Sequence, residues 1–181
     1  MFQLLASQVE PEELRQWIWE DGAKADVAGG GGKVLVVEKP DSKEVIGVAW
    51  FTTYTPNNPP RVPPVYPRGY NVVEAEKIII PRVAWLINVV ETYGGKRMHL
   101  QEIFIAKGYH GVGIGKQLMA VIINEAKESG CNMTLTAGPG VEGFYVKCGF
   151  KDIGEPYVLP DGAVRGIQTQ AEMGISGDAD L

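Results

Sequence analysis

Residues 105–117 read IAKGYHGVGIGKQ. Three glycines, Gly111, Gly113 and Gly115, fall on alternate positions between an apolar run and the start of a helical pattern. Upstream, HLQEIFIA (99–106) has strand character. Strict alternation puts Leu100, Glu102 and Phe104 on one face and His99, Gln101, Ile103 and Ile105 on the other. Downstream, Leu118, Met119, Ile122, Ile123 and Ala126 make an apolar stripe at helical spacing, and Gly130 stops the helix. A strand that runs into glycines and then a helix is suited to binding phosphate. The first backbone N–H groups of a helix have no intrahelical acceptor, and the helix dipole favours an anion there. Glycine leaves room for the anion and accepts the positive φ that such a nest requires.

Two familiar phosphate patterns fail. A Walker A loop needs Gly six residues before its Lys and Ser or Thr after it, whereas Lys116 has His110 and Gln117 there. The dinucleotide fingerprint GxGxxG needs a third Gly at 116 or 118, where the chain has Lys116 and Leu118. The pattern that fits is Q/R-x-x-G-x-G/A, with His110, Gly113 and Gly115 in the defining places. Downstream stands LTAGPGVEGFYVKCGF (135–150): a strand, a small-residue turn, a short helix, and an ending in which Phe144, Tyr145, Lys147, Gly149 and Phe150 recur. Together these two motifs, in this order, resemble the GNAT N-acetyltransferase superfamily. The resemblance is carried by residues 98–154, extends more weakly to 33–54, and is absent from the proline-rich segment between.

The resemblance implies an α/β (α+β) fold with a mixed, mostly antiparallel central sheet flanked by helices and splayed at the cofactor site. It implies acetyl-CoA as acyl-donor substrate. Backbone groups of Ile103, Phe104 and Ile105 would pair with the pantetheine arm. His110, Gly111, Val112, Gly113, Ile114, Gly115 and Lys116 would hold the pyrophosphate, and Tyr145 takes the general-acid position. An ordinary phenol, with a pKa of about 10, is protonated at neutral pH and can protonate a departing thiolate. For the base, Glu102 and His99 are both candidates: His99 has the better ordinary pKa, while Glu102 could act through water. Two features depart from the family pattern. His110 replaces Gln or Arg, and the usual opening strand and helix are shortened or missing, so a homodimer partner could cover the sheet edge.

Elsewhere the reading is coarser. A short helix is expected from near Pro11, and ADVAGGGGK (25–33) reads as a flexible connection. KVLVVEK (33–39) and VIGVAWFTTY (45–54) read as a β-hairpin around KPDSK. Six prolines in 56–67 exclude helix and central strand there. Pro81 is expected to open a helix of about three turns, closed by Gly94 and Gly95. The segment 56–97 thus reads as an insertion within a single domain, 1–169, followed by a flexible polar tail, 170–181.

Composition narrows the class. The chain has 181 residues, a net charge of −5 and no block of five or more like charges, which argues against nucleic acid as partner. Two cysteines without a CxxC and two histidines give no metal set. No signal peptide or membrane span is visible, so no membrane partner is expected and the cytoplasm is the expected compartment. The reading that follows is an acetyl-CoA-dependent N-acetyltransferase acting by direct transfer on the primary amine of a small molecule or peptide. The alternatives are a non-catalytic acyl-CoA-binding sensor or scaffold, and an interaction protein whose glycines serve only packing.

Overall fold

The computed structural model describes residues 16, 18–60, 66, 69–92, 95–138, 140–152, 157–158 and 164–170. A π-helical stretch, Ile18–Lys24, leads into one α-turn, Ala25–Ala28. The ADVA segment is therefore helical, not a flexible connection. Contacts with the sheet explain the difference. A Cβ on Gly22 would lie 2.8 Å from the Trp50 ring, and Thr52 Oγ1 donates to the Asp26 carboxylate at 2.5 Å. The helix expected from Pro11 lies mostly outside the described residues.

Strands β1 (Gly32–Glu38) and β2 (Val45–Tyr54) form the expected antiparallel hairpin. Helix α1 (Val72–Thr92) starts well before Pro81, which lies in its interior. Pro81 has no N–H for the carbonyl four residues back. Two features offset that loss. Asn71 Oδ1 accepts a hydrogen bond from the Glu74 N–H at 3.2 Å and caps the helix, and Ala75, Leu86, Val89 and Val90 are buried along one stripe. The sequence signal for this start is Asn71-x-x-Glu74. Replacing Asn71 with Ala should cost about 1 kcal/mol, which in a chain of this size lowers Tm by about 2–4 °C. A thermal melt without change would remove the cap from this account.

The remaining elements are β3 (Arg97–Ile105), α2 (Ile114–Glu128), β4 (Asn132–Ala137), α3 (Glu142–Lys147), β5 (Phe150–Asp152), β6 (Tyr157–Val158) and β7 (Val164–Gln170). The sheet order is β1-β2-β3-β4-β7-β5, with β6 beside β7, and β3–β4 is its one parallel pair among the described strands. A mixed, mostly antiparallel sheet flanked by helices is the fold expected. The strands after α3 were not expected, and the residues between Val158 and Val164 lie outside the described part. Of the expected tail, Gln170 closes β7 and residues 171–181 lie outside the described part.

The core lies between α2 and one face of the sheet. Leu118, Met119, Ile122, Ile123 and Ala126 from α2 pack on Ala49, Phe51, Met98, Leu100, Met133 and Leu135. Tyr145 and Phe150 close the same cluster. The other face of the sheet carries Trp50 and Thr52, which meet the N-terminal helical turns, together with His99 and Gln101, which meet α1.

Candidate active site

Strands β3 and β4 part company halfway along. Their paired residues run from Arg97 with Asn132 to Leu100 with Leu135 and stop there, although β3 continues to Ile105. Beyond Leu100, β3 keeps only β2 as a paired strand among the described residues. On that side Trp50 pairs with Glu102 and Phe51 with Leu100, so Gln101 is an extra residue, a β-bulge placed where the strands separate.

The bulge corrects the simple alternation of side chains. Leu100 faces the core, and so do Ile103 and Ile105. His99 pairs with Thr52 and Glu102 with Trp50. Those two partners are two residues apart on β2, so His99 and Glu102 share one face rather than lying on opposite ones. Phe104 is on that face too and is 58% exposed.

The glycine loop sits at the open end of the parted strands. A 3₁₀ turn, Lys107–Tyr109, follows β3, and the Lys39 ammonium lies 5.0 Å from the centre of the Tyr109 ring. Gly111 and Gly113 are left-handed, with φ of 78° and 90°, and Gly113 is the residue before α2. A Cβ at either position would meet nothing within 4 Å. These two glycines therefore serve backbone conformation and leave open space, not close packing. Gly115 is different, since a Cβ there would touch Phe144 at 3.5 Å. Among the described residues no side chain caps α2 and its first turn holds no acid, which leaves its leading N–H groups without an intrahelical acceptor. Ile114 is half-buried against the core, Val112 is exposed, and Lys116 is an exposed cation in the first turn.

His110 Nε2 donates to the carbonyl of Ile105 at 2.7 Å, tying the loop back to the end of β3. In this arrangement the imidazole braces the loop. Its other nitrogen could donate to an anion only in the cationic form.

His99 is wholly buried, and its partners fix its tautomer. Arg82, which can only donate, bonds Nε2 at 3.2 Å, so the proton is on Nδ1, which donates to Thr134 Oγ1 at 2.9 Å. Burial, and then the Arg82 charge, hold its pKa well below the ordinary histidine value. The folded state thus takes up its proton at lower pH than the unfolded state, whose histidine titrates near 6.5. Its contribution to stability is full above that value and is lost as pH falls below it, at a slope approaching about 1.4 kcal/mol per pH unit. Urea midpoints from pH 7.5 to 5 should show this slope in the wild type, reduced in His99→Gln. Parallel profiles would contradict the assignment.

Tyr145 lies on α3, is 8% exposed, and packs edge-on to Phe144 and Phe150 at 5.1 and 6.1 Å between ring centres. Its phenol is pushed up to about 12, first by burial and then by the charge of Glu102. The short helix after β4 thus brings Tyr145 within electrostatic reach of the half-buried Glu102 on β3. Trp50, paired with Glu102, the Arg82 contact to β3 and the Lys39–Tyr109 contact are features of this region that the sequence reading did not single out.

A bulged strand that leaves its parallel neighbour, a nest of left-handed glycines and an uncapped helix form one continuous arrangement. Residues 82–163 match the profile of a family described as acetyltransferase (GNAT) domain. The strand, glycine loop and helices of the site fall in the stretch that matches this family. The chain is 38% identical over 61 residues to the glucosamine 6-phosphate N-acetyltransferase of Candida albicans, and 32% identical over 62 residues to a protein assigned as glucosamine 6-phosphate N-acetyltransferase 2 in Oryza sativa subsp. japonica. Those alignments cover 33% and 34% of this chain, and only 41% and 37% of the two relatives.

Among solved structures, a protein assigned as arylalkylamine N-acetyltransferase 7 of the yellow fever mosquito superposes with a TM-score of 0.68. It is 14% identical, and the match covers 92% of this chain and 73% of that one. An N-acyl amino acid synthase from uncultured soil microbes gives 0.56 at 12% identity, covering 89% and 86%. At such identities the likeness is one of fold, and it covers most of the chain.

Proposed function

We propose that this chain is an acetyl-CoA-dependent N-acetyltransferase that moves the acetyl group directly to the primary amine of a small molecule or peptide. The observation that carries the reading is the pair of left-handed glycines with open space above them. They lie at the start of an uncapped helix, beside the parting of β3 and β4. The N–H groups from Gly111 to Lys116 would take the pyrophosphate of the donor, and the gap beyond Leu100 would take its pantetheine arm, pairing with the free edge of Ile103, Phe104 and Ile105.

The chemistry then falls to two residues. The core face of the sheet is filled by α2, so the acceptor amine approaches from the face of Glu102. The neutral amine attacks the thioester carbonyl carbon, a tetrahedral oxyanion forms, and the C–S bond breaks to release the thiolate of CoA. Glu102, directly or through water, takes the proton that the new amide nitrogen sheds. Tyr145 supplies a proton to the thiolate and recovers one from Glu102 through solvent. His99, neutral and bonded at both ring nitrogens, holds the strands and leaves the base role to Glu102.

The charge coupling favours this order. Glu102 as an anion raises the Tyr145 pKa. Once Glu102 has accepted the amine's proton, that influence disappears and the phenol becomes a better acid at the moment the thiolate leaves. The reading is supported by the match of residues 82–163 to an acetyltransferase (GNAT) domain and by relatives named as N-acetyltransferases. Release of free CoA thiol from acetyl-CoA, measured across a panel of primary amines with mass detection of the products, tests it. Acetylated product with stoichiometric CoA is expected. CoA binding without product from any amine would instead favour the acyl-CoA-binding sensor.

A further inference from the structure

The bulge on β3 is held by side chains as well as by its backbone. Gln101, the extra residue, is bonded at both ends of its amide: its Nε2 donates to Tyr54 Oη at 2.5 Å, and its Oε1 accepts from an Arg82 terminal nitrogen at 3.2 Å. That same nitrogen donates to His99 Nε2 at 3.2 Å. His99 in turn donates to Thr134, its paired residue on β4. The next pair, Leu100 with Leu135, is the last before the strands separate. One guanidinium nitrogen on α1 therefore ties together the extra residue, the residue two before it, and through His99 the neighbouring strand.

The arrangement is costly if stability is its only result. Arg82 forms no ion pair with a carboxylate among the described residues, and its buried Nε has no hydrogen-bond partner. A guanidinium held without an opposing carboxylate beside a wholly buried histidine loses solvation that no ion pair returns. What the arrangement does produce is a defined point of separation. Without the extra residue everything after it would exchange faces: Glu102 would pair with Ala49 and turn to the core, and Ile103 would turn away from it.

We propose that Arg82 is a positioning residue that fixes where β3 leaves β4, and so sets the orientation of Glu102 and of the backbone at 103–105. This rests on reading the gap as the donor site. Arg82 touches neither donor nor acceptor in this scheme; it acts through Gln101 and His99.

Arg82→Met keeps the aliphatic length and removes the donors. The expected result is a fall in kcat of about 10- to 100-fold, the scale of a small misplacement of reacting groups, with a smaller loss of CoA affinity, because the backbone at 103–105 shifts while the glycine loop is untouched. Arg82→Lys, which keeps a donor and the charge, should restore part of the rate. The chain has only two histidines, so ¹⁵N spectra of the imidazoles report His99 with little overlap. They should show the Nδ1–H tautomer in the wild type and its loss in Arg82→Met, with amide shifts concentrated at 99–105. If Arg82→Met does not fold, Gln101→Ala removes the tie at the extra residue and should give the same pattern of rate loss and shifts. A variant with wild-type kcat, an unchanged His99 tautomer and unmoved β3 amides would overturn the positioning role. The spectra stand apart from turnover: a wild type that neither binds CoA nor acetylates amines would sink the functional reading, while the shifts at 99–105 would still decide whether Arg82 sets the bulge.

Discussion

Gly113→Asp is expected to lose CoA binding by at least about 100-fold while the far-UV circular dichroism spectrum is unchanged. Gly113 has φ of 90°, a conformation that L side chains adopt rarely and with strain. A Cβ there meets no neighbour, so the substitution introduces no clash within the protein itself. What it adds is backbone strain where the nest must hold its shape, and a carboxylate beside the phosphate. Two like charges about 4 Å apart near a protein surface repel by up to about 4 kcal/mol, and 1.4 kcal/mol is already tenfold in affinity. Gly113→Ala separates the two effects, since it carries only the strain and should weaken binding by much less. Calorimetric titration of both variants measures this. Equal, small losses in the two would mean that no anion approaches this turn.

Tyr145→Phe is expected to lower kcat by about 100-fold, the lower end of general-acid contributions, with CoA affinity nearly intact. The ring stays, so its edge-on contacts with Phe144 and Phe150 persist and the fold is retained. The lower end is chosen for a physical reason. A phenol with its pKa near 12 is a weak donor to a thiolate whose conjugate acid has a pKa of about 8.5. Full transfer is uphill by on the order of 5 kcal/mol while Glu102 is ionised, so much of the assistance is hydrogen bonding to the developing thiolate. The same value means that Tyr145 remains protonated across the ordinary alkaline range. The rate of the wild type should therefore show no falling limb from this group below about pH 11. A loss confined to kcat marks a transition-state interaction, and a rise in KM alone would assign Tyr145 to binding.

The parts of the site legible in the sequence are those whose chemistry depends on residue type. A left-handed turn that leaves space for an anion needs glycine, and IAKGYHGVGIGKQ shows its glycines in the letters themselves. The apolar stripe of α2 and the hairpin of β1 and β2 were legible because burial on one face imposes a period. The bulge at Gln101 was not. HLQEIFI alternates so regularly that nothing in it signals an extra residue, and the register is decided by Tyr54, Arg82 and β2, which are distant in sequence. That one residue reversed the expected relation of His99 and Glu102. The start of α1 was missed because Pro81 outweighed Asn71 and Glu74 in the reading, although one absent backbone bond costs less than the cap and buried stripe return. Strand β7 was missed because VRGIQTQ is short and mostly polar, and its place comes from pairing with β4 and β5. The acceptor is less legible still. The face it would approach carries Trp50 and Glu102, from two separate strands.

The measurement that bears most directly on the whole account is a crystal structure of the protein grown with CoA. The pyrophosphate oxygens should lie within hydrogen-bond distance of the N–H groups between Gly111 and Lys116. The pantetheine arm should pass between β3 and β4 beyond Leu100 and Leu135, with its sulfur near the Tyr145 hydroxyl. CoA bound elsewhere on the chain, or a glycine loop left empty at saturating CoA, would contradict the account.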